Sequence, residues 1–454
     1  MSQLLCHLSK LSSRNNDVLI HKSVRLFSTS PYLTLGTRVK QVLPGGCNIG
    51  DVLLFDPVKE ELVTVPYKTI PKELMDEEMI GASHGWGFFR DRRDRSVRIS
   101  DIFNPLASKS NPTVIPLPRL TALFCGQTEQ VCNVAMSSSS PFGEEDCVVA
   151  IKFSGRQMSL CRPGRDLEWT NIFTPFHCCE NSNLMYSKRD QRLYLPSPGG
   201  NYLFSYHLHA KTEDHPELHE LVYRGHPELD HSEWELLDSC SRREYFVESP
   251  SSGERYLVKW YAHGFYSSVL KGIDYKTKRF MVFREEETTE GKAMCYTEDI
   301  EEMCIFLASN EALCIPASSC PGLIPSTIYF MGRGFGSYHL TTGDTHHYEA
   351  PGGLVNTPYW LPPFSIYRIS DGLYVTQLSN PNRLRETNIN ELGRKWRNPE
   401  REERNLWWCT FGMIKLTNGS GGEITNSKAT AHQVDGVGLE TRASARHNAE
   451  RIAL

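Results

Sequence analysis

The sequence predicts an all-β fold, a β-propeller of six or seven blades, and three observations predict it. Between residues 46 and 365 short apolar runs alternate with Gly, Pro, Asn and Asp clusters, the mark of strands and tight turns. Long helical stripes are nearly absent over the same span, which leaves sandwich, barrel or propeller. At 454 residues the chain also exceeds the ~250–300 at which a single core stops growing. Four-stranded sheets arranged radially avoid that limit, because each blade adds its own slice of core. Blades of about 40–50 residues make six or seven fill the length.

The elements follow in order. Val52–Phe55 and Glu61–Val65 flank Asp56-Pro57-Val58-Lys59, where Asp-Pro starts a turn, so they form a hairpin. Val97 and Ile99 alternate with Arg98 and Ser100, the period of a half-buried strand. Arg192–Leu195 and Asn201–Leu208 surround Pro-Ser-Pro-Gly-Gly. Arg255–Tyr261 and Val269–Ile273 are followed by a turn at Asp274-Tyr275-Lys276-Thr277-Lys278, then Arg279–Phe283. Ser326–Phe330 and Ser337–Leu340 are joined by a glycine turn at 332–336.

Outside the propeller the chain divides further. Residues 1–27 hold Lys10, Arg14, Lys22 and Arg25 against Asp17 alone, with Leu4, Leu8 and Leu11 at helical spacing. This acid-poor, Ser-rich, amphipathic composition is that of a mitochondrial presequence, and Lys10 and Arg14 interrupt any secretory apolar run. Arg25-Leu26-Phe27-Ser28 places cleavage between Phe27 and Ser28; removal takes the formal charge from −5 to −8, the segment carrying +3 (four minus one). Residues 28–45 read as a linker, 46–365 as the propeller, 366–416 as an atypical extension and 417–454 as a polar, disordered tail. The compartment expected is the mitochondrial matrix, with dual delivery to chloroplasts left open. No apolar run approaches the ~18–20 residues of a membrane span.

Gly81-Ala82-Ser83-His84-Gly85-Trp86, Ser100-Asp101-Ile102-Phe103-Asn104-Pro105, Ile115-Pro116-Leu117-Pro118 and Pro321–Phe330 carry a resemblance. They look like segments of the plant Domain of Unknown Function 295 family, which is similar to the propeller regions of plant F-box proteins. With the presequence, the chain resembles the organellar branch of that family over about residues 24–365. The resemblance implies a propeller and an organellar address, and no established activity. It also implies that Gly81–Trp86 opens a blade, with glycine allowing close packing and Trp86 entering the core. Residues 1–45 lack the Leu-Pro start and apolar helices of an F-box, which argues against a ubiquitin-ligase adaptor.

Several motifs invite catalytic readings. Gly81-Ala82-Ser83-His84-Gly85 matches G-x-S-x-G, but that motif needs a strand-to-helix turn, and Trp86-Gly87-Phe88-Phe89 is strand-like. Gly332-Arg333-Gly334-Phe335-Gly336 lacks the Lys-Ser/Thr of a phosphate loop and reads as a hairpin turn. The imidazoles His207, His209, His215, His219, His226 and His231 lie among acids. His215 and His219 would share a face of a helix and are the weak candidates for a metal, but Pro216 and Pro227 favour a solvated interblade loop. No metal or cofactor is expected. The fourteen cysteines include no Cys-x-x-Cys and read as small apolar fillers in a reducing compartment. Arg90, Arg92, Arg93 and Arg95 are offset by Asp91 and Asp94, and the seven basic residues of 383–404 by five Glu, so the field is too weak to favour nucleic acid.

The expected function is therefore a non-catalytic mitochondrial adaptor or regulator that binds a protein partner. Its rivals are an enzyme or small-ligand binder at the channel mouth, and an organellar RNA-binding protein. A deep polar channel with converging His, Asp or Glu would favour the enzyme; a plugged channel beside an exposed apolar rim would favour the adaptor.

Overall fold

The computed structural model describes residues 30–44, 46–120, 130–141, 146–176, 181–208, 216–268, 271–309, 311–349 and 358–364, with the backbone of strands at 24–28, 364–369 and 372–377. The N-terminal stretch before residue 24, the basic cluster of 383–404, the tail of 417–454, His209 and His215 lie outside the described residues.

The strands arrange as six blades and one further sheet. β1 (Val24–Ser28) belongs to the further sheet. Blade 1 holds β2 (Leu33–Val42), β3 (Asn48–Asp56) and β4 (Glu61–Ile70). Blade 2 holds β5 (Glu78–Ser83), β6 (Trp86–Arg90), β7 (Val97–Ser100) and β8 (Val114–Leu117). Blade 3 holds β9 (Val131–Met136), β10 (Val149–Phe153), β11 (Gln157–Cys161) and β12 (Thr170–Phe173). Blade 4 holds β13 (Met185–Ser187), β14 (Arg192–Pro196), β15 (Tyr202–His207) and β16 (Glu217–Glu220). Blade 5 is wider. β17 (Tyr223–Arg224) runs parallel beside β21 (Gly291–Thr297), and helix α1 (His231–Asp238) precedes β18 (Ser241–Glu248), β19 (Arg255–Ser267) and β20 (Gly272–Thr288). Blade 6 holds β22 (Met303–Leu307), β23 (Leu313–Pro316), β24 (Thr327–Met331), β25 (Phe335–His339) and β26 (Thr345–His347), in the spatial order β23-β22-β24-β25-β26. β27 (Phe364–Ile369) and β28 (Gly372–Gln377) complete the sheet with β1.

The blade count is written in the core. Six hydrophobic clusters each join two successive blades, the last joining blade 6 to blade 1. Strand periodicity explains this: successive side chains point to opposite faces, so one strand serves two interfaces. In β10, Val149 and Ile151 pack towards blade 2 while Ala150 packs towards blade 4. Buried aromatic side chains dominate the seam of blades 5 and 6, where Trp260 lies 5.3 Å from Phe280 and 5.6 Å from Phe330.

Closure comes from the far end of the sequence. Tyr359–Leu361 lies antiparallel beside β2: Thr34 N donates to Tyr359 O at 2.8 Å and Leu361 N to Tyr32 O at 2.7 Å. The Trp360 indole N–H donates to Leu307 O of blade 6 at 3.1 Å, fastening the seam from the other side.

Four expectations need correcting. The residues read as a linker, 28–45, include β2, with Leu33 and Leu35 in the core. Asp274–Lys278 is not a turn but part of β20, held in register opposite β19; long pairing overrides the local turn signal and runs on to Ser267 opposite Gly272. Gly336 likewise lies in β25, where a Cβ would meet the His346 carbonyl oxygen at 2.1 Å, so close strand approach explains the glycine. The His-rich segment read as a loop contains β16 and the start of α1. His219 is thus on a strand, and the helical face proposed for it with His215 does not form there.

The remaining hairpins stand where the sequence puts them. Gly81 opens blade 2 beside Val134, whose Cγ2 would lie 2.3 Å from an added Cβ. Trp86 is half-buried against the core of blades 2 and 3.

Candidate interaction face and closed channel

β5, β9, β13, β18 and β23 follow one another around the propeller axis, and a single acid from blade 6 reaches across it. Glu311 sits in the loop between β22 and β23. Its carboxylate accepts the Ser83 hydroxyl of blade 2, and the backbone N–H of Tyr186 in blade 4 donates to it as well. Ser83 Oγ also accepts Met136 N of blade 3 at 3.0 Å. One side chain thus links blade 6 directly to two blades that are not its ring neighbours, and to a third through Ser83. Glu311 is 7% exposed and Ser83 2%. Burial pushes the Glu311 carboxyl up to about 7, against the two hydrogen bonds that favour its ionised form.

The serine of the G-x-S-x-G match is therefore committed to a structural tie. It ends β5, and the chain turns at once through His84 (φ +49°) and Gly85 (φ +80°) into β6. No helix follows it. His84 beside it is bonded to the Met136 backbone, and burial, with the charge of Lys188, pushes it down to about 4.

At the end of the channel where β18 begins, a different surface projects. β19 and β20 run on past β18, whose pairing stops at Ser241 opposite Ala262. The overhanging hairpin exposes Phe265 (44%), Tyr266 (74%) and Ile273 (68%). Lys271, Lys276, Lys278 and His263 are exposed among them. Its base is anchored rigidly: Trp260 Nε1 donates to Thr277 Oγ1 at 2.9 Å, and Thr277 Oγ1 donates to Arg333 O at 2.5 Å.

The Gly332-Arg333-Gly334 turn, read as a hairpin, is one, joining β24 to β25. Its arginine is 3% exposed and faces the channel mouth. Arg333 Nη1 donates to Ser241 O at 2.7 Å, and Nη2 to Ser241 Oγ at 2.8 Å and Asn181 Oδ1 at 3.2 Å. The Tyr275 ring lies 5.1 Å from its guanidinium.

The other singled-out residues have ordinary explanations. His219 Nε2 is 3.3 Å from Ser205 Oγ and 3.2 Å from Glu217, on an exposed strand. His226 lies against the rings of Tyr223 and Phe283, and His231 pairs with Glu235 along α1. Among the described residues no group of three or more His, Cys, Asp or Glu is placed to hold a metal. Arg90 and Arg92 pair with Glu78, and Arg119 with Asp94. Cys147, Cys161 and Cys304 are buried and unreactive in character, burial raising their thiols to about 11, 12 and 12. Phe27 and Ser28, the expected cleavage pair, fall within β1.

Sequence reading missed Glu311 and the overhang. One signal was available for the first. Glu311 is the lone acid in the otherwise apolar or neutral run Met303–Pro316, where a strand pair is forced to bury it. The hairpin was hidden by the apparent turn at 274–278.

These features define a six-bladed β-propeller closed by the segment Tyr359–Leu361, with its axis bridged and one hairpin standing proud of a face. The KIB1-4 beta-propeller family matches residues 54–352, and the chain belongs to that family. No curated protein matches it. Solved structures share low similarity. A Lactobacillus plantarum protein is 12% identical with TM-score 0.30, over 73% of this chain and 100% of that one. Kuenenia stuttgartiensis hydrazine synthase is 11% identical with TM-score 0.27, over 64% and 75%. A putative 6-phosphogluconolactonase from Bacteroides fragilis is 10% identical with TM-score 0.29, over 62% and 83%. Among the described residues no helix is long and apolar enough to cross a membrane.

Proposed function

We propose that this protein is a non-catalytic adaptor that holds a protein partner on the face bearing the β19–β20 hairpin. The observation that carries the reading is the pairing of a bridged axis with an exposed apolar projection. Propellers use loops and hairpins of one face for recognition, and three large apolar side chains on a rigid stem are the kind of anchor that partner surfaces cover. The axis offers a substrate little: its acid is held by Ser83 and Tyr186, and its serine by that acid and Met136. The enzyme reading would need those groups free to face a ligand.

The place of action we propose is the mitochondrial matrix, and the resemblance to the organellar branch of the plant Domain of Unknown Function 295 family supports it together with the basic, acid-poor first 27 residues. Import of the full chain into isolated mitochondria and sequencing of the mature N-terminus tests this; a new terminus at Ser28 is expected, and an unprocessed, unimported chain refutes it.

Cross-linked affinity purification of the tagged chain from mitochondria tests the adaptor reading. The wild type should recover one or a few proteins near stoichiometrically, and the Phe265→Ser, Tyr266→Ser, Ile273→Ser variant should lose them. Equal recovery by both chains, or none by the wild type, refutes it.

A further inference from the structure

Among the described residues, buried Arg255 and half-buried Arg98 and Arg242 have acidic partners, whereas half-buried Arg243 and buried Arg333 have none within ion-pair distance. Arg255 pairs with Asp190 and with Glu248 at 2.9 Å; Arg98 pairs with Glu77; Arg242 pairs with Glu244 at 2.7 Å. Arg243, the next residue, faces away from that last pair because strand side chains alternate. Its Nε is buried and accepted by nothing, and among the described residues no carboxylate lies within ion-pair distance of it. Arg333 has neutral partners only, and its Nε is equally orphaned.

The two charges repel each other, and Gly332, which precedes Arg333, lies against Arg243. A Cβ built there would lie 4.0 Å from Arg243 Nη1 and 3.9 Å from Ser309 Oγ. The glycine has φ +121°. Arg243 and the Ser309 hydroxyl thus adjoin Gly332, and the neighbouring Arg333 reaches the Asn181 side-chain amide, whose oxygen accepts from it and whose NH₂ is a donor. The set is rich in donors, and the acid that acts on Arg333 among the described residues, Glu244, is already paired with Arg242 at 2.7 Å. Burial first, and then repulsion from Arg243, pushes Arg333 down to about 10. Such an arrangement is costly when empty and favourable around an oxyanion, which guanidinium forks bind through paired hydrogen bonds.

We propose that Arg243, Arg333, Ser309 and Asn181 form an oxyanion site at the channel mouth that takes a carboxylate or phosphate group from an acidic segment of the bound protein. The assignment of the anion to a protein segment rests on the adaptor reading; the site itself does not. Charge complementarity favours an acidic segment over a free anion. The hairpin beside the site, residues 263–278, carries Lys271, Lys276 and Lys278 against Asp274, a net of +2 (three minus one). An acidic chain entering the site would run along this basic, aromatic edge, its apolar side chains against Phe265, Tyr266 and Ile273.

The test uses the full chain and two probes, a fluorescein-labelled octaglutamate peptide followed by anisotropy and inorganic phosphate as competitor. Octaglutamate should bind saturably and more weakly as salt rises. Arg243→Gln should weaken it at least tenfold while the thermal midpoint holds or rises, because removing this side chain breaks no hydrogen bond. Arg243→Glu, which sets a carboxylate beside Arg333, should abolish binding and raise the midpoint. Octaglutamate binding that Arg243→Gln leaves unchanged, or no binding of either probe, overturns the site. Phosphate binding without octaglutamate binding overturns the acidic segment in favour of a small free anion. If Arg243→Glu captures the wild-type partners unaltered, the acidic-segment inference falls and the adaptor reading stands. If the wild type captures no partner yet binds octaglutamate through Arg243, the reverse holds.

Discussion

Glu311 and Arg243 are both charged side chains drawn into the middle of a propeller, and the fold treats them in opposite ways. Glu311 is saturated from within: a hydroxyl and a backbone N–H from two other blades converge on it, and the result is a cross-brace over the axis. Arg243 receives nothing from the described residues and stands beside a second arginine. A buried charge satisfied internally contributes to architecture; one left with open hydrogen-bonding capacity needs an outside group. The contrast separates the part of the channel that holds the ring together from the part that is available for recognition.

Four measurements press on that distinction, beginning with the largest change. Arg255 is the internally saturated arginine, 4% exposed and bonded to Asp190, Glu248 and Ser187 across blades 4 and 5. Replacing it with Ala should cost about 3–5 kcal/mol in urea unfolding, since the acids stay buried without a counter-charge. A cost below about 1 kcal/mol would erase the difference drawn between it and Arg243.

Glu311→Gln tests the brace through pH. The raised carboxyl means that the folded state holds a proton which the unfolded chain has released once pH exceeds about 4.5. Its contribution is therefore full below that value and is lost as pH rises through about 7. The amide keeps hydrogen-bonding capacity and removes the charge, so it should stabilise the protein at pH 8 by up to about 3 kcal/mol and change little at pH 4. His84 acts with the opposite sign: its depressed imidazole contributes above about 6.5 and is lost as pH falls through about 4. The wild-type profile should thus be flattened between about 4.5 and 6.5, where the two slopes oppose, and Glu311→Gln should expose the His84 slope there. An unchanged profile would remove Glu311 from the account.

Gly81→Ala asks whether close blade approach near the brace is needed. The new methyl would collide with Val134, and an overpacking cost of about 1–3 kcal/mol is expected in the same unfolding assay. The smallest effect belongs to the rim. Phe265→Ser with Tyr266→Ser should move stability by no more than about 0.5 kcal/mol while partner capture is lost. A large destabilisation would show the hairpin tip to be part of the core.

Much of the architecture was legible in the sequence because strand alternation and turn chemistry are local signals. Val97 and Ile99 and the Asp56-Pro57 turn lie where they were read, and the glycine turn read at 332–336 stands over its first three residues. The blade count was not legible, since it depends on which faces meet, and the strands of blade 6 are threaded out of order, with β22 between β23 and β24. The site was least legible. Arg242 and Arg243 are neighbours with identical side chains, and only the pleat sends one to Glu244 and the other to the channel mouth. Glu311 meets Ser83 across 228 positions of sequence, beyond any spacing rule.

The seal between β2 and Tyr359–Leu361 has a consequence for biosynthesis. β2 emerges from the ribosome early, with Leu33 and Leu35 destined for an interface that includes Trp360. At about 5–20 residues per second, the strand waits tens of seconds for its partner. Through that interval its backbone edge and apolar face are open to any other nascent or unfolded chain, a standing hazard for strand pairing between molecules. A chaperone that covers the first blade until residue 361 has been made would protect this protein more than one acting anywhere later along its length.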